Sequence, residues 1–276
     1  MKVFCIISDK RVFRSKSPAI FSAVMKHLGI GGAYVPFRVE PDQIGQALES
    51  LRVLNIAGAN LTVPYKEVSI PYVDELSEGA RFIGAINTIV CKGKVLKGYN
   101  TNAIGFMDVL NDVDFDVAGK SVLVFGTGGI AKAVVFILNW LRTSSVTVTG
   151  RSDEKIDQIV DQFGCEAKPL RALLDTPIQA DLIINATAVS SPGESPELAE
   201  LVRNLEVAKC KLVMDMNYGR NQNFWQDMAR SKDIPFMDGL PALAFQARRT
   251  FALWTGIQVP PEEFLKALGV EREVIP

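Results

Sequence analysis

The chain has 276 residues, 48% hydrophobic and 22% charged, with 30 basic against 31 acidic side chains and a formal net charge of −1. That length suits two moderate domains, and a balanced charge with no basic block gives no support to nucleic acid as the main partner. No apolar run approaches the roughly 20 residues that a membrane helix needs.

The opening run Met1-Lys2-Val3-Phe4-Cys5-Ile6-Ile7-Ser8 turns polar too soon for a signal peptide and reads as a first strand over 2–8. A helix over 18–29, a strand over 33–39, a helix over 42–52 and a strand over 56–63 follow, then a helical stretch around 79–84. Asn87 to Cys91, the turn Lys92-Gly93-Lys94 and Val95-Leu96 form a hairpin, and 101–111 reads as helix. A new unit starts after Gly119-Lys120. It has a strand over 121–125, a helix over roughly 129–141, a strand over 146–149 and a helix over 153–163. Further strands are expected at 181–185 and 211–215, and helices from Leu240 to Trp254 and over 261–268. Strands alternating with helices predict an α/β chain with mainly parallel sheets.

The composition narrows the chemistry. His27 is the single histidine, set among Phe21, Val24, Met25 and Leu28, where it reads as a surface or packing residue. With no cysteine pair near it, no metal site is expected, and Ser-His-Asp chemistry would need His27 itself. Cys5, Cys91, Cys165 and Cys210 are scattered and read as reduced thiols, mostly buried, of a cytoplasmic protein. Proton transfer then falls to Lys, Asp, Glu, Tyr or Cys.

Two segments carry most of the functional signal. In Gly58-Ala59-Asn60-Leu61-Thr62-Val63-Pro64-Tyr65-Lys66-Glu67, an apolar run with two polar side chains stops at a proline and a lysine follows. Asn60 and Thr62 are two apart and so face one side of a strand. Lys66 would stand at its carboxyl end, where ligands of open α/β sheets bind. The second segment, Gly126-x-Gly128-x-x-Ala131, lies between a strand and a helix. Its glycines permit close approach to a pyrophosphate at a helix amino terminus. Gly126, Thr127, Gly128, Gly129, Ile130 and Ala131 are the candidate phosphate-loop residues. At the end of the next strand, Gly150-Arg151-Ser152-Asp153-Glu154-Lys155 offers a planar cation, a hydroxyl and a further charge where an NAD site would carry an acid. Arg151, Ser152 and Lys155 therefore favour NADP through a 2′-phosphate. The alternative is a solvated Arg151.

The chain resembles the shikimate dehydrogenase family over almost its whole length. Ser15-Lys16-Ser17-Pro18 resembles the family element whose two hydroxyls hold the substrate carboxylate. Asn60, Thr62 and Lys66 match the substrate asparagine, threonine and catalytic lysine. Gly84-Ala85-Ile86-Asn87-Thr88 matches a segment whose asparagine touches ring hydroxyls. Gly98-Tyr99-Asn100-Thr101-Asn102 matches the stretch that ends in the catalytic aspartate. Asp181 to Thr187 resembles the strand and loop beside the cofactor. Asp215-Met216-Asn217-Tyr218 resembles a segment with a nicotinamide-side methionine and a substrate-side tyrosine. Asp238-Gly239-Leu240, Gln246-Ala247 and Leu253-Trp254-Thr255-Gly256 resemble the closing helix, with Gln246 a substrate hydrogen-bonder.

The resemblance implies an α/β fold of two domains with a cleft between them. An α/β substrate domain would comprise 1–103 plus 240–276, and a Rossmann-type NADP-binding domain 104–239. It implies hydride transfer between NADPH and 3-dehydroshikimate to give shikimate. Lys66 and Asn102 would occupy the catalytic positions. Ser15, Ser17, Asn60, Thr62, Asn87, Tyr218 and Gln246 would meet the substrate, and Thr187, Met216 and Gly239 would join the phosphate-loop and Arg151 residues at the cofactor. The partner would be a small carboxylated ring, and the protein a monomer or homodimer with neither nucleic acid nor membrane as partner.

The pattern also breaks. Asn102 stands at the aspartate position. It keeps the shape of Asp but carries no charge to hold Lys66 protonated, so Lys66 alone is expected to transfer the proton. Asp9, Arg11 and Arg14 replace Gly, Pro and His upstream of Ser15. Phe21-Ser22 replaces His-Asn, Ser190 replaces Gly, and Pro241-Ala242 replaces Gly-Met. Arg11 and Arg14 either strengthen carboxylate binding or are solvated charges. The rival readings are a relative acting on quinate or another hydroxylated cyclic acid, and a non-catalytic ligand-binding homologue. A folate-type dehydrogenase gives no reason for the Ser15 and Ser17 pair.

Overall fold

Strand β1 (Lys2–Ser8) has five successive buried residues, the mark of a strand covered on both faces. The computed structural model that shows this describes residues 2–270. A 3-10 turn (Lys10–Arg14) leads to α1 (Ser17–His27), then β2 (Gly32–Arg38), α2 (Ile44–Val53), β3 (Gly58–Leu61) and α3 (Tyr65–Val68). After β4 (Glu75–Leu76) and α4 (Glu78–Ile83) come β5 (Thr88–Lys92), β6 (Val95–Tyr99) and α5 (Thr101–Asp112). The sheet order is β2-β1-β3-β5-β6-β4. β1 pairs in parallel with β2 and β3, whereas β5 runs antiparallel to β3 and β6. β4 and β6 pair in parallel and parallel pairing predominates along the chain as expected, but this sheet is mixed, with β5 the strand that runs against its neighbours. The cause is local: the two-residue connection Gly93-Lys94, with Gly93 at φ 61°, turns the chain straight back.

The next stretch contains β7 (Ser121–Phe125), α6 (Gly129–Trp140), β8 (Ser145–Thr149), α7 (Asp153–Phe163), β9 (Glu166–Ala167), β10 (Ile178–Gln179) and β11 (Leu182–Asn185). It continues with α8 (Pro196–Asn204), β12 (Val207–Lys209), β13 (Leu212–Asp215), α9 (Phe224–Ser231) and β14 (Phe236–Met237). The main sheet has the order β14-β13-β11-β7-β8-β9 with every pairing parallel. Counted along the chain from the β9 edge this is 3-2-1-4-5-6, the doubly wound dinucleotide-binding order, and its switch point lies between β7 and β11. β10 and β12 form a separate parallel pair.

The last helices are α10 (Leu240–Thr255) and α11 (Pro261–Leu268). Contacts divide the described residues into two units, 2–108 with 243–270, and Val109–Ala242. In the first, α1, α10 and α11 contribute to an aromatic core on one face of the sheet. Phe4 stacks on Trp254 with centroids 4.6 Å apart, and Phe21 on Tyr34 at 4.7 Å. Gly58 permits this packing, because a Cβ there would stand 2.1 Å from the Trp254 indole nitrogen. In the second, Phe125, Trp225 and Ile183 centre a core shared by the sheet, α8 and α9.

Candidate active site

Pro64 ends β3 early. Proline has no N–H for the ladder, so pairing stops at Leu61 and the chain enters α3 at Tyr65. The strand expected over 56–63 is thus shorter, and Lys66 lies in a helical turn, not at the strand's tip. Thr62, past the strand, donates its backbone N–H to Ile7 O at 3.2 Å. The Ser8 hydroxyl donates to Val63 O at 2.6 Å, which ties this loop to the carboxyl end of β1.

The Lys66 side chain folds inward and is only 8% exposed. Its Nζ donates to Asn102 Oδ1, 2.9 Å away at the start of α5. The partner is neutral, so nothing offsets the loss of water around the ammonium. Burial pulls the amine down from its ordinary 10.5 to about 7.

A polar cluster lies in the same unit. Asn87 donates one amide hydrogen to Thr101 Oγ1 at 2.8 Å and the other to Gln246 Oε1 at 2.9 Å. Its Oδ1 accepts from the Thr101 backbone N–H at 2.7 Å. Asn60 accepts from Tyr34 OH at 2.8 Å and donates to Asn87 O and Thr88 Oγ1 at 3.0 and 3.1 Å. Both amide hydrogens of Asn60 and of Asn87 are therefore engaged within the protein, and each residue offers a ligand only the remaining capacity of its Oδ1. Gln246 differs. Its Oε1 is held by Asn87, which leaves its N–H2 as the donor edge.

Ser15 and Ser17 bracket the entry to α1, where the Ser17 backbone N–H donates to Ser15 Oγ at 3.2 Å. Arg11 is clamped by Asp9 through contacts of 2.7 to 3.1 Å, so it serves the 3-10 turn. Arg14 is exposed. Phe21 is core, stacked on Tyr34, and lone His27 sits on the surface 3.5 Å from Glu263.

In the second unit, Gly126 ends β7 with φ 120°, and a Cβ there would press on Ala186 at 2.8 Å. Only glycine allows the ends of β7 and β11 to approach so closely. Gly128 caps the amino terminus of α6 with open space around it, and Ala131 is buried beneath. Thr127, Gly129 and Ile130 complete the turn. This backbone suits a pyrophosphate at the helix amino terminus. Ser152 caps α7, accepting from the Lys155 backbone N–H at 3.4 Å, while Arg151 and Lys155 are exposed beside it. Asp153 is a first-turn acid of α7, where the helix dipole favours it.

Beyond β11, Thr187 donates its hydroxyl to Asn185 Oδ1 at 2.7 Å. Asp215, at the end of β13, accepts from the side-chain amides of Asn185, Asn217 and Asn223 at 2.8, 3.0 and 2.7 Å. Burial raises its pKa. Ser190 joins this cage, 2.9 Å from Asn217 Nδ2. Gly239 packs against the backbone of Met216, whose O would be 2.5 Å from an added Cβ. Tyr218 follows on the same loop, in this unit rather than the first.

The family described as shikimate dehydrogenase substrate binding domain matches residues 7–89, and that described as shikimate / quinate 5-dehydrogenase matches 109–230. The chain is 35% identical to the shikimate dehydrogenase (NADP(+)) of Streptococcus pneumoniae (strain CGSP14), over 92% of each chain. The chain is a member of the shikimate dehydrogenase family. The shikimate dehydrogenase (NADP(+)) of Halothermothrix orenii is likewise 35% identical, over 91% of this chain and 90% of the other. Among solved structures, the shikimate 5-dehydrogenase of Thermus thermophilus in complex with NADP(H) and shikimate has a TM-score of 0.83 at 31% identity. The match covers 97% of this chain and 98% of that one.

Within this member of the shikimate dehydrogenase family, sequence reasoning missed several polar residues. Tyr34, Thr88 and Thr250 support the amides of the first unit, and Asn223 closes the cage around Asp215. The one available signal was Thr250, four residues after Gln246 and so on the same helical face. Thr88 closes the Gly84 to Thr88 motif without a role being assigned to it, and Tyr34 lies far from the motifs in sequence, so that only folding brings it close.

Proposed function

We propose that the chain is an NADP-dependent shikimate dehydrogenase that interconverts shikimate and 3-dehydroshikimate, with Lys66 as the proton carrier. The buried Lys66 amine on Asn102 carries this reading. An amine near neutrality can both take and give a proton at working pH. In the oxidative direction neutral Lys66 removes the proton of the reacting hydroxyl. In the reverse direction its ammonium returns a proton to the carbonyl oxygen. Asn102 aims the amine by accepting its hydrogen bond.

Ser15 and Ser17 would take the ring carboxylate, with Thr62 and the Gln246 N–H2 taking hydroxyls. Asn60 and Asn87 act mainly from behind, holding Gln246 and the α5 terminus, and Tyr218 is assigned to the substrate. Residues Gly126 to Ala131 would hold the cofactor pyrophosphate, Arg151, Ser152 and Lys155 its 2′-phosphate, and Thr187, Met216 and Gly239 its nicotinamide end. NADP supplies the hydride acceptor or donor. The first unit, with its last helices, is then the substrate domain and the second the cofactor domain.

Quinate is the less favoured substrate, since the curated relatives are named for shikimate and the Thermus structure holds it. Among the described residues no helix is long and apolar enough to cross a membrane, and the four cysteines are free. We assign the protein to the cytoplasm, as a monomer or homodimer.

The test is NADP reduction with shikimate and, in parallel, quinate, using the wild type and Lys66→Ala. Turnover on shikimate should fall by about 10²- to 10⁴-fold in the variant, the usual weight of a general acid–base group. Binding of NADPH and shikimate without turnover by the wild type would instead favour a non-catalytic homologue.

A further inference from the structure

We propose that Thr250 is a positioning residue for the substrate: its buried hydroxyl closes a three-threonine hub that holds the Gln246 amide with its N–H2 edge toward the ligand. The proposal rests on the reading of Gln246 as a substrate-facing residue.

The hub joins three separate elements. Thr88 starts β5, Thr101 starts α5, and Thr250 lies on α10. Their hydroxyl oxygens form a triangle with 3.0 Å on each side. Thr88 and Thr250 are fully buried and Thr101 is 4% exposed, so water does not compensate for a lost partner. Each hydroxyl brings one hydrogen and can accept two. The triangle can therefore close as a ring in which each threonine donates to the next.

Asn60 donates into the ring at Thr88, and Asn87 at Thr101. Asn87 uses its other amide hydrogen on Gln246 Oε1, and Thr101 Oγ1 lies 3.2 Å from that same oxygen. The oxygen edge of Gln246 is thus fixed inward. Gln246 and Thr250 are one helical turn apart on one face of α10. The backbone at Gln246 is fixed as well, since Gly105 of α5 lies so close that a Cβ would be 2.7 Å from Gln246 N.

Thr250 touches no other hydrogen-bonding side chain in this network than Thr88 and Thr101. Removing its hydroxyl takes away two of the three sides of the triangle. Thr101 then has one hydrogen and a choice among Thr88 Oγ1 at 3.0 Å and Asn87 Oδ1 and Gln246 Oε1, both at 3.2 Å. With Thr101 free to turn, the Asn87 amide that it anchors is held less firmly, and so is the Gln246 edge that Asn87 fixes; where that edge flips, an acceptor faces a ligand group that expects a donor. A loss made equally in ground and transition states raises KM and leaves kcat alone.

The test compares Thr250→Val, which keeps the branched shape, with Thr250→Ser, which keeps the hydroxyl. Thr250→Val should raise the KM for shikimate about tenfold, the weight of one well-placed hydrogen bond, with kcat and the KM for NADP unchanged. Thr250→Ser should restore the KM to near the wild-type value. Thr88→Val, which breaks the triangle from the sheet side, should reproduce the effect and decides the matter if Thr250→Val does not fold. An unchanged KM in the valine variants, or equal impairment in Thr250→Ser, would overturn the inference while leaving the proposed function standing. A wild type that neither binds nor oxidises shikimate would contradict the proposed function itself.

Discussion

Lys66 of α3 and Asn102 of α5 meet through a 2.9 Å hydrogen bond in which the amine donates to an amide oxygen. An aspartate at position 102 would place a negative charge on the ammonium and favour its protonated form. Asparagine keeps the contact and omits the charge, so burial alone sets the amine near neutrality. The departure from the family pattern thus changes when Lys66 holds its proton more than where it points.

The first prediction concerns stability. The unfolded chain holds the Lys66 proton up to about 10.5, whereas the folded one releases it near 7. Between those values the unfolded state binds more protons, so raising pH favours the fold. The unfolding free energy of the wild type, measured relative to Lys66→Met, should rise by about 1.4 kcal/mol per pH unit over that window. Below pH 7 the difference should be flat. Denaturant melts at several pH values would check this, and a difference independent of pH throughout would contradict it.

Arg151→Ala should separate the two nicotinamide cofactors. Loss of a charge-assisted contact to a 2′-phosphate costs about 1.5–3 kcal/mol. The KM for NADP should therefore rise about 10- to 100-fold, with any activity on NAD unaltered. Equal effects on both cofactors would mean that Arg151 is a solvated charge.

Gly105→Ala should impair the proposed substrate site through Gln246. The new Cβ would press on the backbone of Gln246 at 2.7 to 2.9 Å, where no flexible side-chain end can yield. Overpacking of this kind costs about 1–3 kcal/mol. A lower melting temperature together with a raised KM for shikimate is expected, and wild-type values of both would show that α5 and α10 separate freely.

Much of the fold could be read from local pattern. Ser121–Phe125 and Asp153–Phe163 have the bounds expected from an apolar run and from helical spacing. The short strands Glu75–Leu76, Glu166–Ala167 and Phe236–Met237 were not legible, because two residues carry no period. Helices Pro196–Asn204 and Phe224–Ser231 were missed although Ser195 and Asn223 cap them, since both lie in polar-rich stretches. Spacing places Asn60 on a face but does not show that Tyr34, Asn87 and Thr88 already engage it. The Thr88, Thr101 and Thr250 triangle joins residues up to 162 apart in the chain, and local sequence shows only its separate members and not that they meet.

The most direct measurement is the pH dependence of kcat/KM for shikimate oxidation, for the wild type and Asn102→Asp. Oxidation needs Lys66 neutral, so activity should climb with pH and level off above a limb near pH 7 in the wild type. In Asn102→Asp the added carboxylate should hold the proton more tightly and move the limb upward by about 1–3 units. A limb at the same pH in both proteins would contradict the claim that the Lys66–Asn102 pair sets the proton transfer.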